Sequence, residues 1–300
     1  MHNSDRLPKI EVAERNHVAS NLQSSTLEQI LQKTNELAVL PHVVFRVIEL
    51  TSSEDTVSKE LERAIVVDPG FSSKLLVMAN SAAFGLPKRV GSIREAIMFL
   101  GFRSIRSVAL TVGMFDAFVG KTDRASLRRR EWWRHSVDSA ICARFLAKMA
   151  DEVPVEDAYT AGLLHLIGKM LLEKYGTRDY GLVQRLLELG APSEQMAEKQ
   201  VFGCDHCQVA SEAAARWGLP PALQSGLRYL EPAEPTDPFG SLRACTLVAT
   251  KMAEVAKTGE KGDATNCPRW AMERLHLTDY SMADLGIQGR RLIAEANLRI

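Results

Sequence analysis

The middle of the chain reads Leu163-Leu164-His165-Leu166-Ile167-Gly168-Lys169. Helical spacing of the surrounding apolar residues predicts one helix, from about Ala158 to Leu172, that carries this stretch. His165 has the chemistry of a metal ligand, but the next residue, Leu166, has no oxygen to offer a metal ion. His165 is therefore either a metal ligand or a buried, hydrogen-bonded histidine.

The apolar pattern on both sides of this stretch is helical, and no segment alternates as a strand would. Asp68-Pro69 predicts a helix start, because Asp accepts orphan amide hydrogens and Pro at the first position lacks a donor that would be left unpaired. Ser92 and Glu95 fit a capping box, and Gly101 predicts the end of the helix that they begin. The sequence therefore predicts an all-α protein.

Changes in composition divide the chain into three parts. Residues 1–24 are polar and without apolar periodicity, which predicts a tail. Residues 25–235 form the main domain, in which a polar break separates an N-terminal helical lobe (25–120) from a second helical lobe (124–231). A proline-rich acidic segment follows, and residues 236–300 are predicted to form a C-terminal helical extension.

Composition also limits the classes of partner. The 300 residues carry 37 basic and 37 acidic side chains, so no global field attracts nucleic acid or an anionic membrane. Apolar runs are shorter than the roughly 20 residues that cross a bilayer, and no export signal is recognisable. Five scattered cysteines favour reduced thiols. We therefore predict a cytoplasmic protein with no membrane partner, for which nucleic acid is an unlikely partner.

A series of short motifs then carries a resemblance to a known family. In chain order they are Leu40-Pro41-His42-Val43-Val44, Asp68-Pro69, Asn80-Ser81-Ala82-Ala83-Phe84-Gly85, Ser92-Ile93-Arg94-Glu95-Ala96-Ile97, Leu100-Gly101, Trp133-Arg134-His135-Ser136, Ala161-Gly162-Leu163-Leu164-His165, Ile167-Gly168-Lys169 and Phe202-Gly203-Cys204-Asp205-His206. Together they resemble the HDOD domain of bacterial signalling proteins, a relative of the HD-GYP phosphodiesterases. The resemblance covers about residues 25–235.

The resemblance implies where a metal site would lie. His135, His165 and His206 fall where the HD superfamily places metal ligands, and Lys169 falls where active enzymes keep a substrate-facing lysine. Leu166 stands where the superfamily has the Asp that bridges two metal ions. A two-metal hydrolytic mechanism therefore loses its shared ligand.

A second change falls on the same site, because Tyr229-Leu230 occupies the place where relatives often show a pair of histidines. We therefore interpret the metal-site positions as vestigial and expect no catalytic residue, no metal and no cofactor. The predicted function is a non-enzymatic regulatory module of bacterial signal transduction that contacts unidentified signalling proteins. A small ligand in the vestigial cleft stays open, as does the alternative of a metal-dependent phosphohydrolase or cyclic-dinucleotide phosphodiesterase with an altered site.

A run of arginines and tryptophans between residues 124 and 134 is the candidate contact patch. Its members are Arg128, Arg129, Arg130, Trp132, Trp133 and Arg134. Arg and Trp dominate binding hot spots, and Arg forks also suit phosphates. The run is thus a candidate partner or ligand surface, a nucleotide or nucleic-acid surface, or a solvated helix face with tryptophans in the core. On the first interpretation, charge reversal at Arg129 and Arg130 should abolish partner binding and leave the fold intact.

Overall fold

The computed structural model describes residues 27–33, 40–119, 125–259 and 266–297. Within these ranges the chain forms helices and turns and no strand, which confirms the all-α prediction. The predicted polar tail (residues 1–24) and Arg124 lie outside the described residues. We number the helices α1 to α15 in chain order, and begin with the short helical segment at residues 27–33 as α1.

The described part of the first lobe runs to residue 119. Its helices are α1, α2 (His42–Ser52), α3 (Ser58–Val66), α4 (Pro69–Ala79) and α5 (Ile93–Met114), with a 3-10 turn at Ala82–Phe84 and a π-helical turn at Phe115–Val119. The second lobe contains α6 (Ser126–Ala150), α7 (Val155–Leu164), α8 (Ile167–Tyr175), α9 (Gly181–Glu188), α10 (Glu194–Phe202), α11 (His206–Arg216) and α12 (Pro221–Gly226). The C-terminal helices are α13 (Gly240–Thr258), α14 (Arg269–Arg274) and α15 (Met282–Asn297).

The predicted helix starts of the first lobe are confirmed. The Asp68 carboxylate accepts the amide hydrogen of Phe71 at 2.9 Å, and the Ser92 hydroxyl accepts that of Glu95 at 3.2 Å. The Glu95 carboxylate reaches one residue further back than a capping box requires and accepts from the amide of Gly91. Gly101 breaks the helix at φ +74°, as predicted, but α5 resumes at once and runs on to Met114.

The prediction of one continuous helix from Ala158 to Leu172 is wrong. A turn at His165 and Leu166 separates α7 from α8. A continuous helix would pair the Gly162 carbonyl with the amide of Leu166. In the structure this carbonyl accepts a 2.7 Å hydrogen bond from Nδ1 of the His165 side chain. The histidine thus stabilises the turn that presents it.

Buried polar contacts join the two lobes. Helix α5 packs against α7, and the hydroxyls of Ser107 and Thr160 are 2.7 Å apart across this contact. Nearby, the guanidinium of Arg106 lies 3.4 Å from the Asp157 carboxylate, with both side chains buried. Such buried polar pairs fix the orientation of packed helices, because leaving either group unpaired is costly.

The C-terminal helices are part of the same packed body. Helix α13 lies against α6, α7 and α12, and α14 and α15 pack on α13. Cys245, Val248 and Met252 on α13 belong to the hydrophobic core that also includes residues of both lobes. The extension therefore forms one wall of the site described below.

One apolar helix, Ile93–Val119, is long enough by length and composition to cross a membrane. About two thirds (67%) of its most apolar window is buried by the chain itself. It also carries the buried Arg106, paired with Asp157, and a break at Gly101. These features are those of a core helix of the first lobe.

Candidate functional site

The histidines predicted for a vestigial metal site meet at one cleft, which has a volume of about 620 Å³. Helix α6 contributes His135 and Trp132, the α7–α8 turn contributes Leu166, and α8 contributes Lys169. His206 closes the cleft from the start of α11. The ring of His165 lies behind this lining, with its centroid 5.4 Å from that of His135.

His165 is fully buried and neutral. Burial, reinforced by the neighbouring His135, holds the pKa of His165 well below its ordinary value. Its Nδ1 donates to the Gly162 carbonyl at 2.7 Å, so Nε2 carries the free lone pair. Among the residues that the structure describes, no hydrogen-bond partner reaches this Nε2 atom. His165 therefore keeps one available ligand atom in the interior.

His206 is buried too, but both of its ring nitrogens are occupied. Nδ1 lies 2.6 Å from Oε2 of Glu198, and Nε2 lies 3.1 Å from the hydroxyl of Tyr229. Burial alone would lower the pKa of His206, but Cys207 and Glu198 outweigh burial and hold it well above its ordinary value. The ring is thus an imidazolium that donates from both nitrogens and has no lone pair for a metal ion.

The start of α11 explains how His206 is placed. Asp205 and Gln208 form a capping box, in which the Asp205 carboxylate accepts from the amide of Gln208 and the Gln208 side chain accepts from the amide of Asp205. The amide of His206 is left for Glu198, whose carboxylate accepts it at 2.9 Å. Backbone and ring of His206 are therefore held by one buried carboxylate.

Gly168 lets α8 approach α11 closely enough to bring Lys169 and His206 to the same cleft. A Cβ atom added to Gly168 would lie 1.9 Å from the backbone oxygen of His206. Any larger residue would push the two helices apart. The glycine of the Ile167-Gly168-Lys169 motif is therefore required by helix packing rather than by an unusual backbone angle.

A chain of hydrogen bonds connects Lys169 to His206. The Lys169 ammonium donates to Oε2 of Glu194 at 2.5 Å, and the Tyr180 hydroxyl lies 3.2 Å from the other oxygen of Glu194. Tyr180 also lies 2.5 Å from Glu198, which holds His206. Sequence reasoning missed both glutamates and Tyr180, and only Glu194 had a local signal, since it follows the helix-capping Ser193.

His135 is half-buried on α6 and also neutral. Burial lowers its pKa to about 4, assisted by the positive charges of Lys169, Lys257 and Lys251. Two of these lysines are on α13, in the C-terminal extension. The extension therefore changes the electrostatics of the cleft, which the sequence did not indicate.

The donor set does not fit the two-metal centre that the HD superfamily uses. Leu166 lines the cleft with a hydrocarbon side chain, and His206 has no free nitrogen. The histidine nitrogens that stay available are then Nε2 of His165 and those of the His135 ring. Within the described ranges, no group of three or more His, Cys, Asp or Glu side chains is arranged to hold a metal ion.

The predicted patch of arginines and tryptophans is divided by the fold. Arg129 is only 5% exposed, donates to the Phe118 carbonyl at 2.8 Å and pairs with Glu173 at 2.7 Å. A place for Arg129 in a contact surface that leaves the fold intact is therefore contradicted, because its position at the start of α6 directs it towards the first lobe. Arg130 and Arg134 are exposed, one helical turn apart.

The tryptophans lie between core and surface. Trp132 lines the cleft and packs edge-on against Tyr180, with ring centroids 5.0 Å apart. Arg128 lies over both rings and pairs with Glu173 at 2.9 Å. Trp133 packs against Phe115 of the first lobe at 6.0 Å. These contacts make Arg128 and both tryptophans packing residues. Arg130 and Arg134 are the exposed part of the patch.

Comparison with known sequences identifies a family model. The model of the HDOD domain matches residues 37–232. An uncharacterized protein of Treponema pallidum (strain Nichols) is 23% identical over 227 residues, which are 75% of this chain and 43% of that protein. The chain thus spans less than half the length of this curated relative.

Solved structures share the fold. A protein of Shewanella amazonensis SB2B, provisionally named a phosphohydrolase, is 23% identical with a TM-score of 0.66 over 90% of this chain and 97% of its own. An HDOD domain protein from Geobacter sulfurreducens is 21% identical with a TM-score of 0.64 over 90% and 98%. A protein of Marinobacter aquaeolei VT8, provisionally named a signal transduction protein, is 21% identical with a TM-score of 0.67 over 94% and 64%. At these identities the likeness establishes the fold.

Proposed function

The chain belongs to the HDOD domain family, and from this premise we propose that it is a non-enzymatic regulatory module of bacterial signal transduction. It acts in the cytoplasm by contact with a separate signalling protein. The family relation supplies the regulatory class, and the cleft supplies the argument against catalysis.

The observation that carries the proposal is the state of His206. Nδ1 of His206 lies against Glu198 and Nε2 against the Tyr229 hydroxyl, so the ring cannot ligate a metal ion through Nε2 without losing the contact to Tyr229. Leu166, which follows His165 in the chain and lines the cleft, offers no oxygen ligand. Metal-assisted hydrolysis needs a held metal that activates water, and this donor set does not hold one.

Hydrolysis is the competing function, since the relative from Shewanella amazonensis is provisionally named a phosphohydrolase. The name of the relative from Marinobacter aquaeolei, a signal transduction protein, agrees with the regulatory function. The two names belong to those proteins, and the ligand atoms of this chain favour the regulatory function. His165 is the variant site of choice because it keeps the free buried Nε2 atom.

The test compares the native protein with a His165→Ala variant after purification without chelator. Bound metal is measured by mass spectrometry, and hydrolysis of phosphomonoesters, phosphodiesters and cyclic dinucleotides is assayed with manganese, iron, magnesium or zinc. We expect no stoichiometric metal and no turnover above the variant. Metal-dependent turnover that the variant lacks would overturn the proposal.

The protein contact is tested at the exposed part of the patch. Arg130 and Arg134 lie one turn apart on α6, and reversal of both charges removes an anchor pair without touching the core. We expect an Arg130→Glu, Arg134→Glu variant to lose the proteins that co-purify with the native chain. A Lys59→Glu, Lys88→Glu variant reverses two exposed charges on the first lobe and should retain them. If both variants recover the co-purifying proteins equally well, Arg130 and Arg134 are not part of the interface.

A further inference from the structure

The cleft is lined by charges of both signs, and their pairing is uneven. Lys169 is closely paired with Glu194 at 2.5 Å. Lys251 is paired with Glu254 at 3.4 Å on the same helix, and both side chains are partly exposed. Such i,i+3 pairs in contact with water contribute little to stability. Lys251 is therefore nearly free to exchange its partner.

Lys257, nearly two helical turns beyond Lys251 on α13, adds a third lysine charge. It lines the cleft and is exposed. Lys169, Lys251 and Lys257 all act on His135, whose lowered pKa keeps its ring neutral. Glu131, at the mouth of the cleft, is the remaining acid of the lining. The positive charge that acts on His135 therefore comes from two different helices.

The rest of the lining is apolar. Trp132 forms an aromatic side wall, and Leu166, Leu230 and Leu247 contribute hydrocarbon surface. The volume of about 620 Å³ lies within the roughly 300–1,000 Å³ of small-molecule sites. The cleft thus combines an apolar wall with a cationic end, which suits an amphipathic anion better than a free metal ion or an inorganic ion.

Glu194 has a particular position in this arrangement. Its Oε2 accepts a hydrogen bond from the Lys169 ammonium, while its Oε1 lies 3.2 Å from the Tyr180 hydroxyl. A carboxylate of the chain itself therefore sits where the charged group of a bound anion would contact Lys169. An entering anion has to compete with Glu194 for this lysine.

We propose that the cleft binds a small organic anion with an aromatic or apolar body, held by Lys251 and Lys257 and in competition with Glu194 for Lys169. This inference rests on the proposed function, because a non-enzymatic module would bind the ligand without hydrolysing it. Two of the three lysines lie on α13, beyond the residues 37–232 that match the family. Ligand binding would connect the second lobe to the C-terminal extension.

The experiment titrates the full chain with phenyl phosphate and with benzoate by isothermal calorimetry, to separate phosphate from carboxylate recognition. Benzyl alcohol is the uncharged probe. A Glu194→Gln variant keeps an acceptor for Tyr180 and removes the competing charge. A Lys251→Gln, Lys257→Gln variant removes two cleft charges, and a Lys59→Gln, Lys88→Gln variant removes two exposed charges elsewhere.

We expect saturable binding of one or both anions and none of benzyl alcohol. Binding should tighten about tenfold in Glu194→Gln and weaken about tenfold in the α13 variant. The Lys59→Gln, Lys88→Gln variant should bind as the native chain does. No binding by either the native chain or Glu194→Gln, equal binding by the two lysine variants, or equal binding of benzyl alcohol would overturn the inference. Release of phenol from phenyl phosphate would overturn the proposed function and leave anion recognition intact.

Discussion

Nδ1 of His206 lies 2.6 Å from Oε2 of Glu198, and neither side chain is reached by solvent. An imidazolium and a carboxylate thus face each other in the interior, with the backbone amide of His206 and the Tyr180 hydroxyl as further donors to Glu198. Burial would raise the pKa of Glu198, but His206 outweighs burial and lowers it. The pair is therefore ionised and fully hydrogen-bonded in the folded chain.

The first prediction removes the charge of Glu198. A Glu198→Gln variant keeps the shape but leaves the imidazolium without its counter-ion, and we expect a loss of about 3 kcal/mol in the free energy of unfolding. Because the pKa of His206 is raised in the folded chain, its charge stabilises the fold fully below pH 6.5, and this contribution is lost as the pH rises through the raised pKa. Because the pKa of Glu198 is lowered, its charge stabilises the fold above pH 4.5. The loss should therefore be largest between pH 4.5 and 6.5.

Urea unfolding at several pH values measures this loss, and nitrogen chemical shifts of His206 report its protonation. A Glu212→Gln variant, which changes an exposed acid on α11, is the control and should unfold as the native chain does. A Glu198→Gln loss that is independent of pH would show that shape, not charge, holds the histidine.

The second prediction concerns Arg129, whose guanidinium joins the lobes through Phe118 and Glu173. An Arg129→Met variant leaves Glu173 with only Arg128, and we expect it to lose about 3 kcal/mol in the free energy of unfolding. Arg130→Met, one residue on but exposed, should change it by less than about 0.5 kcal/mol. Denaturant unfolding compares the two, and equal stabilities would contradict the structural role.

The sequence could predict the class of the fold because helix periodicity and caps act locally. Asp68 and Ser92 need only their own first turn to be recognised. The burial of Arg129 could not be predicted, because it depends on Phe118 of the first lobe and on Glu173 of α8. Neither contact is visible in the local pattern of α6. The break at His165 was missed for a related reason, since a side chain that takes a helical carbonyl leaves no trace in the apolar pattern.

The site was predictable in its positions but not in its chemistry. Motif matching located His135, His165, Leu166, Lys169 and His206, which the fold brings to one cleft. That both nitrogens of His206 are occupied depends on Glu198 and Tyr229, and these contacts arise only when α10, α11 and the segment after α12 pack together. The same holds for α13, whose lysines enter the cleft from outside the family region.

The third prediction tests the contact between α8 and α11. In a Gly168→Ala variant the new methyl group would meet the backbone oxygen of His206 at 1.9 Å, so the helices must separate. We expect a loss of at least about 2 kcal/mol in the free energy of unfolding. Gly70→Ala, whose methyl group would meet its nearest atom at an ordinary 3.4 Å, should not be destabilised. Equal stabilities would mean that α8 and α11 do not approach as described.

The last prediction concerns what keeps a metal ion out. Leu166→Asp restores an oxygen ligand, but Tyr229 still accepts from Nε2 of His206, so we expect this variant to bind no stoichiometric zinc or manganese. Tyr229→Phe frees that nitrogen yet leaves Leu166 in place, and it should fail as well.

The double variant Leu166→Asp, Tyr229→Phe should bind metal, because Glu198 already orients His206 through Nδ1 as carboxylates do behind metal-ligating histidines. The free Nε2 of His165 and the ring of His135 complete the donor set. Equilibrium dialysis with mass spectrometry measures the bound metal. Metal in the Leu166→Asp variant alone would show that Tyr229 is no obstacle, whereas none in the double variant would show that the histidines are too far apart. Metal binding by the double variant alone would show that two separate features keep a metal ion out. One is the missing oxygen ligand at Leu166, and the other is the hydrogen bond between Tyr229 and His206.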